Sequence, residues 1–293
     1  IKSGDGGRRN GAPGRPVLRW RGREGAARLR RLPNLEIHVA HACNLACESC
    51  AHYSDHGHKG TVDLAAAERS MAPWAGRILP AQFSLVGGEP TIHPDLAGFV
   101  RLTRRLWPAS AIRLVTNGFF LHRHPGLPEA LRDCAPAWID LSIHHDSPDY
   151  RARIAPILAL ARDWRDRLGV DMRFNDSFRH WTRRYLGRGA AMQPFADGNP
   201  RKSWEICPAR ICPQILDGRI YKCALLAYLP MQDARHGLGA VWAPWRDYRP
   251  LEPGCSDAAL AEFFAREEEA VCGLCPAERR AFALPNPLPA ARA

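Results

Sequence analysis

The chain of 293 residues is long enough for about two domains, or for one barrel with an appendage. At 46% hydrophobic and 24% charged it is globular in composition; no apolar run approaches the roughly 18 residues of a membrane span, and no apolar leader opens it. The net charge of +11 is unevenly spread: residues 1–34 carry ten basic side chains against Asp5 and Glu24, which leaves +3 for the other 259 residues and excludes a strongly basic nucleic-acid-binding body.

The Gly-, Pro- and Arg-rich start reads as a basic N-terminal extension over 1–34. Leu35–Ala40 then forms a short strand. Asp63–Leu79 has Leu64, Ala67, Met71, Trp74 and Ile78 at helical spacing, with Pro73 set to kink it. Phe83–Val86 is a buried strand broken by Gly87-Gly88-Glu89-Pro90. A helix over Pro94–Trp107 follows, then a strand over Ile112–Val115 that stops at Thr116-Asn117-Gly118. Leu127–Cys134 is a short helix, and Trp138–Ile143 a strand running into His144-His145. Ser147 caps a helix that has Pro148 in its first turn and reaches about Leu168. Val170–Phe174 is a further strand.

Strand and helix alternate at least four times, which predicts an α/β fold with a parallel sheet, closed or partly closed into a barrel. Each unusual polar cluster falls at the C-terminal end of a strand, where barrels of this kind carry their active sites. The alternation fails from about Phe178. Asp217-Gly218 marks a hairpin, and Asp257–Ala270 an amphipathic helix that leads into Cys272-Gly-Leu-Cys275.

Ten cysteines without a secretory leader argue for metal or thiolate chemistry in a reducing, cytoplasmic setting. Cys43, Cys47 and Cys50 are spaced C-x3-C-x2-C on the loop leaving the first strand. Three thiolates are one short of a closed zinc site, which would recruit His52, His56 or His58 as its fourth ligand. A four-iron cubane on three thiolates instead keeps one iron open.

This motif, followed by Gly87-Gly88-Glu89-Pro90 after the second strand, resembles the radical S-adenosylmethionine (SAM) enzymes over roughly residues 35–280. The resemblance implies a partial (β/α)6-type barrel and a [4Fe-4S] cluster on Cys43, Cys47 and Cys50. It also implies SAM bound at the open iron and cleaved to a 5′-deoxyadenosyl radical. Gly87 and Gly88 would let main chain approach the methionine amino group, and Glu89 would pair with it. Asn117 and Ser142 match positions of further SAM contacts. Ser49 departs from the family's usual aromatic, which leaves the adenine contact to backbone or to His52 and Tyr53. His144 and His145 face the same mouth as candidate substrate contacts.

Cys207, Gly218 and Cys223, with the later Cys272 and Cys275, resemble the hairpin and C-x2-C of the twitch and SPASM extensions, which hold auxiliary clusters. The resemblance implies one auxiliary [4Fe-4S] cluster on Cys223, Cys272 and Cys275 with either Cys207 or Cys212; a zinc ribbon has the same ligand types. Cys134 reads as packing. Cys255, on a Pro/Gly-rich loop, is expected to lie over the barrel mouth and is a candidate catalytic hydrogen-atom donor.

The expected layout is an extension over 1–34, a radical SAM partial barrel over 35–180 and a twitch-like domain over 181–293. The implied function is hydrogen abstraction from a small sugar-like or aminocyclitol substrate in natural-product (antibiotic) biosynthesis, ending in dehydrogenation or epimerisation. The electron would come from a flavodoxin- or ferredoxin-type donor, with neither membrane nor nucleic acid as partner. The alternative is a peptide-modifying maturase, disfavoured by the mere 34 residues before the first strand.

Overall fold

The computed structural model describes residues 29–289; the extension expected at 1–34 lies outside them up to residue 28. Four strand–helix steps and a fifth strand open the fold. Strands β1 (Arg30–Ala40), β2 (Ile78–Gly87), β3 (Ala111–Thr116), β4 (Ala137–Ile143) and β5 (Asp171–Asp176) alternate with helices α1 (Leu64–Ala75), α2 (Leu96–Leu106), α3 (Leu127–Asp133) and α4 (Pro148–Leu168). Short side chains set the helix starts: Asp63, Asp95 and Ser147 accept hydrogen bonds from the backbone nitrogens of Ala66, Gly98 and Tyr150. Helix α1 ends at Ala75, earlier than its periodicity suggests, because Ile78 and Leu79 pair with Arg30 and Arg31 as the start of β2.

The sheet has the order β5-β4-β3-β2-β1-β6-β7 and is not closed. Strands β6 (Gln214–Leu216) and β7 (Arg219–Tyr221) form the hairpin expected around Asp217-Gly218, and Asp217 adopts the positive φ such a turn demands. Strand β6 lies parallel to β1, with Glu36 opposite Gln214 and Ile37 opposite Ile215. The sixth parallel strand of this partial barrel is therefore supplied from the last third of the chain. Helices α5 (Pro200–Glu205), α6 (Ala224–His236), α7 (Ala243–Arg246) and α8 (Asp257–Ala265) complete the described fold. None of the helices among the described residues is long and apolar enough to cross a membrane.

The strands have two faces with different chemistry. Leu35, Ile37, Val39, Phe83, Leu85, Ile112, Leu114, Ile139 and Leu141 pack beneath the helices in one continuous core. Each such side chain is worth about 1.5–3 kcal/mol when fully buried. The alternate positions are polar and satisfy one another. Asn34 Nδ2 donates to Glu36 Oε1 at 2.8 Å, Ser84 Oγ donates to Asn34 Oδ1 at 2.8 Å, and Gln214 Nε2 donates to Glu36 Oε2 at 2.5 Å. Across β3 and β4, Arg113 pairs with Asp140 at 2.6 Å. A second core gathers around α6, where Leu225, Tyr228 and Leu229 meet Trp242, Trp245, Tyr185 and Tyr53.

Candidate active site at the strand ends

Where β1 to β5 end, a cavity of about 190 Å³ opens, lined by Cys43, Cys47, Cys50, His52 and Ser54 from the first loop. Gly87, Gly88 and Glu89 reach it from β2, Thr116 and Asn117 from β3, Ser142 and His144 from β4, and Ser177 and Trp181 from beyond β5. The three thiols stand round a space rather than a point. Among the described residues no three His, Cys, Asp or Glu side chains are placed to hold a single metal ion.

The glycines also have a reason within the fold. A Cβ on Gly87 would lie 2.3 Å from the carbonyl oxygen of Ala40, and one on Gly88 would lie 2.3 Å from that of Ala42. Main chain meets main chain there: Gly88 N donates to Ala40 O and Glu89 N to Ala42 O, both at 2.8 Å. The strip Gly87–Glu89 thus clamps the root of the cysteine loop.

Glu89 is almost wholly buried, at 1% exposure. Its Oε1 accepts from Thr91 N at 2.9 Å, Thr91 Oγ1 at 2.5 Å and Thr116 Oγ1. Its Oε2 accepts from Asn117 N at 2.7 Å and retains capacity toward the cavity. Burial pushes this carboxyl up, against the pull of those four donors. Asn117 Nδ2 in turn donates to Asn44 Oδ1 at 2.9 Å, binding the third strand end to the cysteine loop. Thr91 and Thr116 are functional neighbours that the sequence reading passed over; a hydroxyl two residues after Glu89 and one ending a strand were the available signals.

His52 reaches the cavity, and its Nδ1 lies 2.5 Å from His38 Nε2. Tyr53 does not: it is fully buried in the second core, where its hydroxyl donates to Leu225 O at 3.2 Å. His56 and His58 both engage Gln232, at 2.7 and 2.9 Å, and do not line this cavity. His144 sits 3.4 Å from Cys47 Sγ, and burial holds its imidazole neutral, with a pKa down at about 4. His145 does not line the cavity and caps its own loop by accepting from Ser147 N at 3.0 Å. Ser49 adopts a left-handed conformation, φ 62°, and its Oγ accepts from Arg184 N at 2.7 Å and Tyr185 N at 3.2 Å. The departure from an aromatic there serves to seat residues 184 and 185.

The later cysteines separate. Backbone bonds from Ala196 to Leu274 and from Gly198 to Gly273 lay the segment before Cys207 beside the C-x2-C turn. Cys207 then lies close enough to Cys223, Cys272 and Cys275 to disfavour the thiolate of each, after burial. Burial first, then Cys207, pushes the Cys223 thiol up to about 12; burial, then Cys223, Cys207 and Cys272, raises that of Cys275. Cys212 stands elsewhere, beneath β1, accepting from Asn34 Nδ2 at 3.6 Å. Of the two alternatives left open by spacing, Cys207 joins the group and Cys212 does not. Cys134 is buried in the main core.

Cys255 is also displaced from its expected position. Arg77, the residue before β2, donates to Cys255 Sγ at 3.4 Å and to Cys255 O at 2.7 Å. That is the N-terminal end of the parallel strands, separated from the cavity by the ten residues of β2, a span of about 30 Å. Its loop follows β7 back across the foot of the sheet, so the residue does not overlie the mouth.

An open parallel α/β barrel with a cysteine loop and a Gly-Gly-Glu clamp at its strand ends defines an enzyme-type site. Residues 37–167, from within β1 to the last turn of α4, match the Radical SAM superfamily. Among curated proteins, a GTP 3',8-cyclase of Microcystis aeruginosa is 27% identical over 41% of this chain and 37% of its own. A probable GTP 3',8-cyclase of Saccharolobus solfataricus is 32% identical over 45% of this chain and 42% of its own. The chain thus spans about two fifths of the length of these relatives. Among solved structures, BtrN in complex with AdoMet and 2-DOIA is 14% identical with a TM-score of 0.46, covering 88% of this chain and 100% of that one. Streptococcus suis SuiB bound to S-adenosylmethionine is 20% identical with a TM-score of 0.40, covering 49% of this chain and 33% of that one.

Proposed function

We propose that this chain binds a [4Fe-4S] cluster on Cys43, Cys47 and Cys50 with SAM beside it, and dehydrogenates a small, phosphate-free, polyol-like or aminocyclitol substrate. The observation that carries this reading is the convergence of three thiols, the Gly87–Gly88 strip and the Glu89 carboxylate on one cavity. The residues present fit such a group. Burial raises all three thiols, and Cys43 and Cys50 add repulsion at Cys47, so the set gives up its protons only to a cationic partner. Ser54 lies in the cavity lining beside the Cys50 thiol, and its side chain and backbone both favour the thiolate form of that sulfur against the rise that burial imposes. Bound in place, the cluster on Cys43, Cys47 and Cys50 with SAM would supply radical hydrogen-atom abstraction, and a second centre on the later thiols would supply an electron acceptor.

The chain's own residues divide the remaining work. Glu89 Oε2, held by Asn117 N, offers a carboxylate oxygen to an ammonium group. Asn117 and Ser142 present polar groups at the third and fourth strand ends. Trp181 closes the wall, anchored by its Nε1 donating to Glu48 O at 2.8 Å and packed against His144. Cys207, Cys223, Cys272 and Cys275 are the four thiols we assign to the auxiliary [4Fe-4S] centre.

Among the described residues the cavity lining contains neither Arg nor Lys. A triphosphate substrate would need such cations, so the lining favours a substrate without phosphates over the nucleotide named for the curated relatives. With Cys255 at the far end of the sheet, dehydrogenation is preferred to thiol-quenched epimerisation. The test is anaerobic turnover with candidate polyols or aminocyclitols deuterated at each carbon. Label appearing in 5′-deoxyadenosine identifies the substrate and the carbon attacked; unlabelled 5′-deoxyadenosine from every candidate of this class would overturn the substrate assignment.

A further inference from the structure

Tyr248 follows α7, and its side chain packs against both cores. Two neighbours place it beside the later cysteines. Trp245, three residues before it, donates through Nε1 to the carbonyl oxygen of Val271 at 2.8 Å, and Val271 precedes Cys272. The Tyr248 ring lies 6.3 Å, centroid to centroid, from that of Tyr221, two residues before Cys223. The charged and titratable groups that face its hydroxyl are Glu269, Cys223, Arg266 and Cys272.

That hydroxyl is enclosed and, among the described residues, has no hydrogen-bond partner. A buried donor left unmade costs stability, so the oxygen needs a reason to be there. The neighbouring carboxylate does not supply one, because Glu269 Oε1 already faces Arg266 Nε at 3.0 Å and Lys222 Nζ at 3.7 Å. Lys222 is itself pinned by the carbonyl oxygens of Phe263 and Arg266, both at 2.5 Å. Protonated cysteines are weak acceptors, whereas an ionised sulfur takes a charge-assisted bond. Burial first, then Glu269 and Cys223, push the Tyr248 hydroxyl up, so it keeps its proton and remains a donor. The orphaned hydroxyl thus fits a site whose sulfurs are ionised and metal-bound better than one holding free thiols.

We propose that the Tyr248 hydroxyl donates a hydrogen bond to a sulfur of the four-iron centre assigned to Cys207, Cys223, Cys272 and Cys275, and raises the reduction potential of that centre. The proposal rests on the assignment of those four thiols made above. A reduced centre carries one more negative charge than an oxidised one, so a donor aimed at its sulfur favours the reduced form. Tyr248 keeps its proton and passes no electron. Its effect is to make the centre a better electron acceptor, which dehydrogenation requires and a purely structural metal site does not.

Tyr248→Phe removes the oxygen alone. Midpoint potentials are read by EPR-monitored redox titration of the reconstituted holoenzyme. The same titration in a Cys43→Ala/Cys47→Ala/Cys50→Ala background assigns the signal of the second centre. Iron content, and urea unfolding of the metal-free protein, are measured alongside. The variant should keep its iron, and its second centre should titrate lower by about 30–60 mV, a three- to tenfold shift in the one-electron equilibrium. An exchangeable proton coupled to that centre, detected by ENDOR before and after transfer to D2O, should be present in the parent and missing from the variant. Metal-free Tyr248→Phe should unfold at a urea concentration no lower than the parent's, since the oxygen it loses has no partner. An unchanged potential with the second centre in place, or loss of that centre's iron from the variant, overturns the role of Tyr248 alone. A parent protein that holds only about four irons, or zinc at the second site, overturns the assignment of the four thiols and this proposal with it.

Discussion

The carboxylate of Glu89 and the backbone nitrogen of Asn117 are joined by a 2.7 Å hydrogen bond that ties the end of β2 to the end of β3. Because Glu89 N also donates to Ala42 O, one residue fixes three strand ends and the cysteine loop relative to each other. Replacing Glu89 by Gln substitutes an NH2 for one oxygen, and that group must then face a donor. We expect a loss of about 2 kcal/mol, the scale of a buried charge-assisted bond, together with weaker SAM binding. Denaturant unfolding and equilibrium SAM binding measure the two. Parent-like values in both would show that Glu89 neither clamps the loop nor meets the cofactor.

Gly88→Ala tests the contact of main chain with main chain. The new Cβ would lie 2.3 Å from Ala42 O, and a main-chain carbonyl held by Glu89 N cannot swing away as a side chain can. Destabilisation of about 1–3 kcal/mol is expected, with iron uptake at the first cysteine loop reduced as the loop is displaced. Gly126→Ala is the comparison, since its added Cβ meets nothing within 4 Å and should change stability by less than about 0.5 kcal/mol.

The division of the later cysteines leads to a paired prediction. Cys207→Ala should lose about four of about eight irons per chain, by the cluster types that four thiolates and three thiolates support. Cys212→Ala should retain them all, because its thiol contacts Asn34 rather than the quartet. Iron and sulfide analysis after anaerobic reconstitution decides between them. The reverse pattern would exchange their roles, and zinc in place of the lost iron would make the second site a ribbon.

Much of this arrangement is readable in the residues alone. Strand periodicity, the C-x3-C-x2-C loop and Gly-Gly-Glu-Pro place the first site because each is local: a few neighbouring residues on one turn. The choice between Cys207 and Cys212 is not local. It is made by Gly198 and Ala196 bonding to Gly273 and Leu274, some 75 residues on. Cys255 is misleading for a related reason: its loop composition says nothing about which end of the sheet it crosses, which Arg77 settles. Tyr53 reads as a cofactor contact beside His52, yet its left-handed backbone, φ 54°, sends it into the second core instead.

Acid should weaken the metal-free fold. Burial lowers the pKa of His38, His41, His52, His56, His93, His144 and His236 below the ordinary 6.5, to about 4 for His56 and His144. For a depressed base the unfolded chain takes up protons that the native chain refuses. Its stabilising contribution is full above pH 6.5 and is lost as the pH falls through the window from 6.5 toward 4. Each fully buried histidine contributes up to about 1.4 kcal/mol per pH unit of that window, and partly exposed ones less. Urea unfolding of metal-free protein at pH 7.5 and 5.5 should therefore show a drop of several kcal/mol, by the same linkage. His56→Gln should soften the drop. Equal stability at the two pH values would contradict the buried, neutral state of these side chains.

The central claim is that Cys43, Cys47 and Cys50 together hold the cluster that cleaves SAM. The most direct measurement is 5′-deoxyadenosine formation from SAM and dithionite in reconstituted parent and Cys47→Ala proteins, with iron counted in both. The account predicts turnover in the parent, none in Cys47→Ala, and about four irons still held by the variant on its second set of thiols. Undiminished 5′-deoxyadenosine from Cys47→Ala would contradict it.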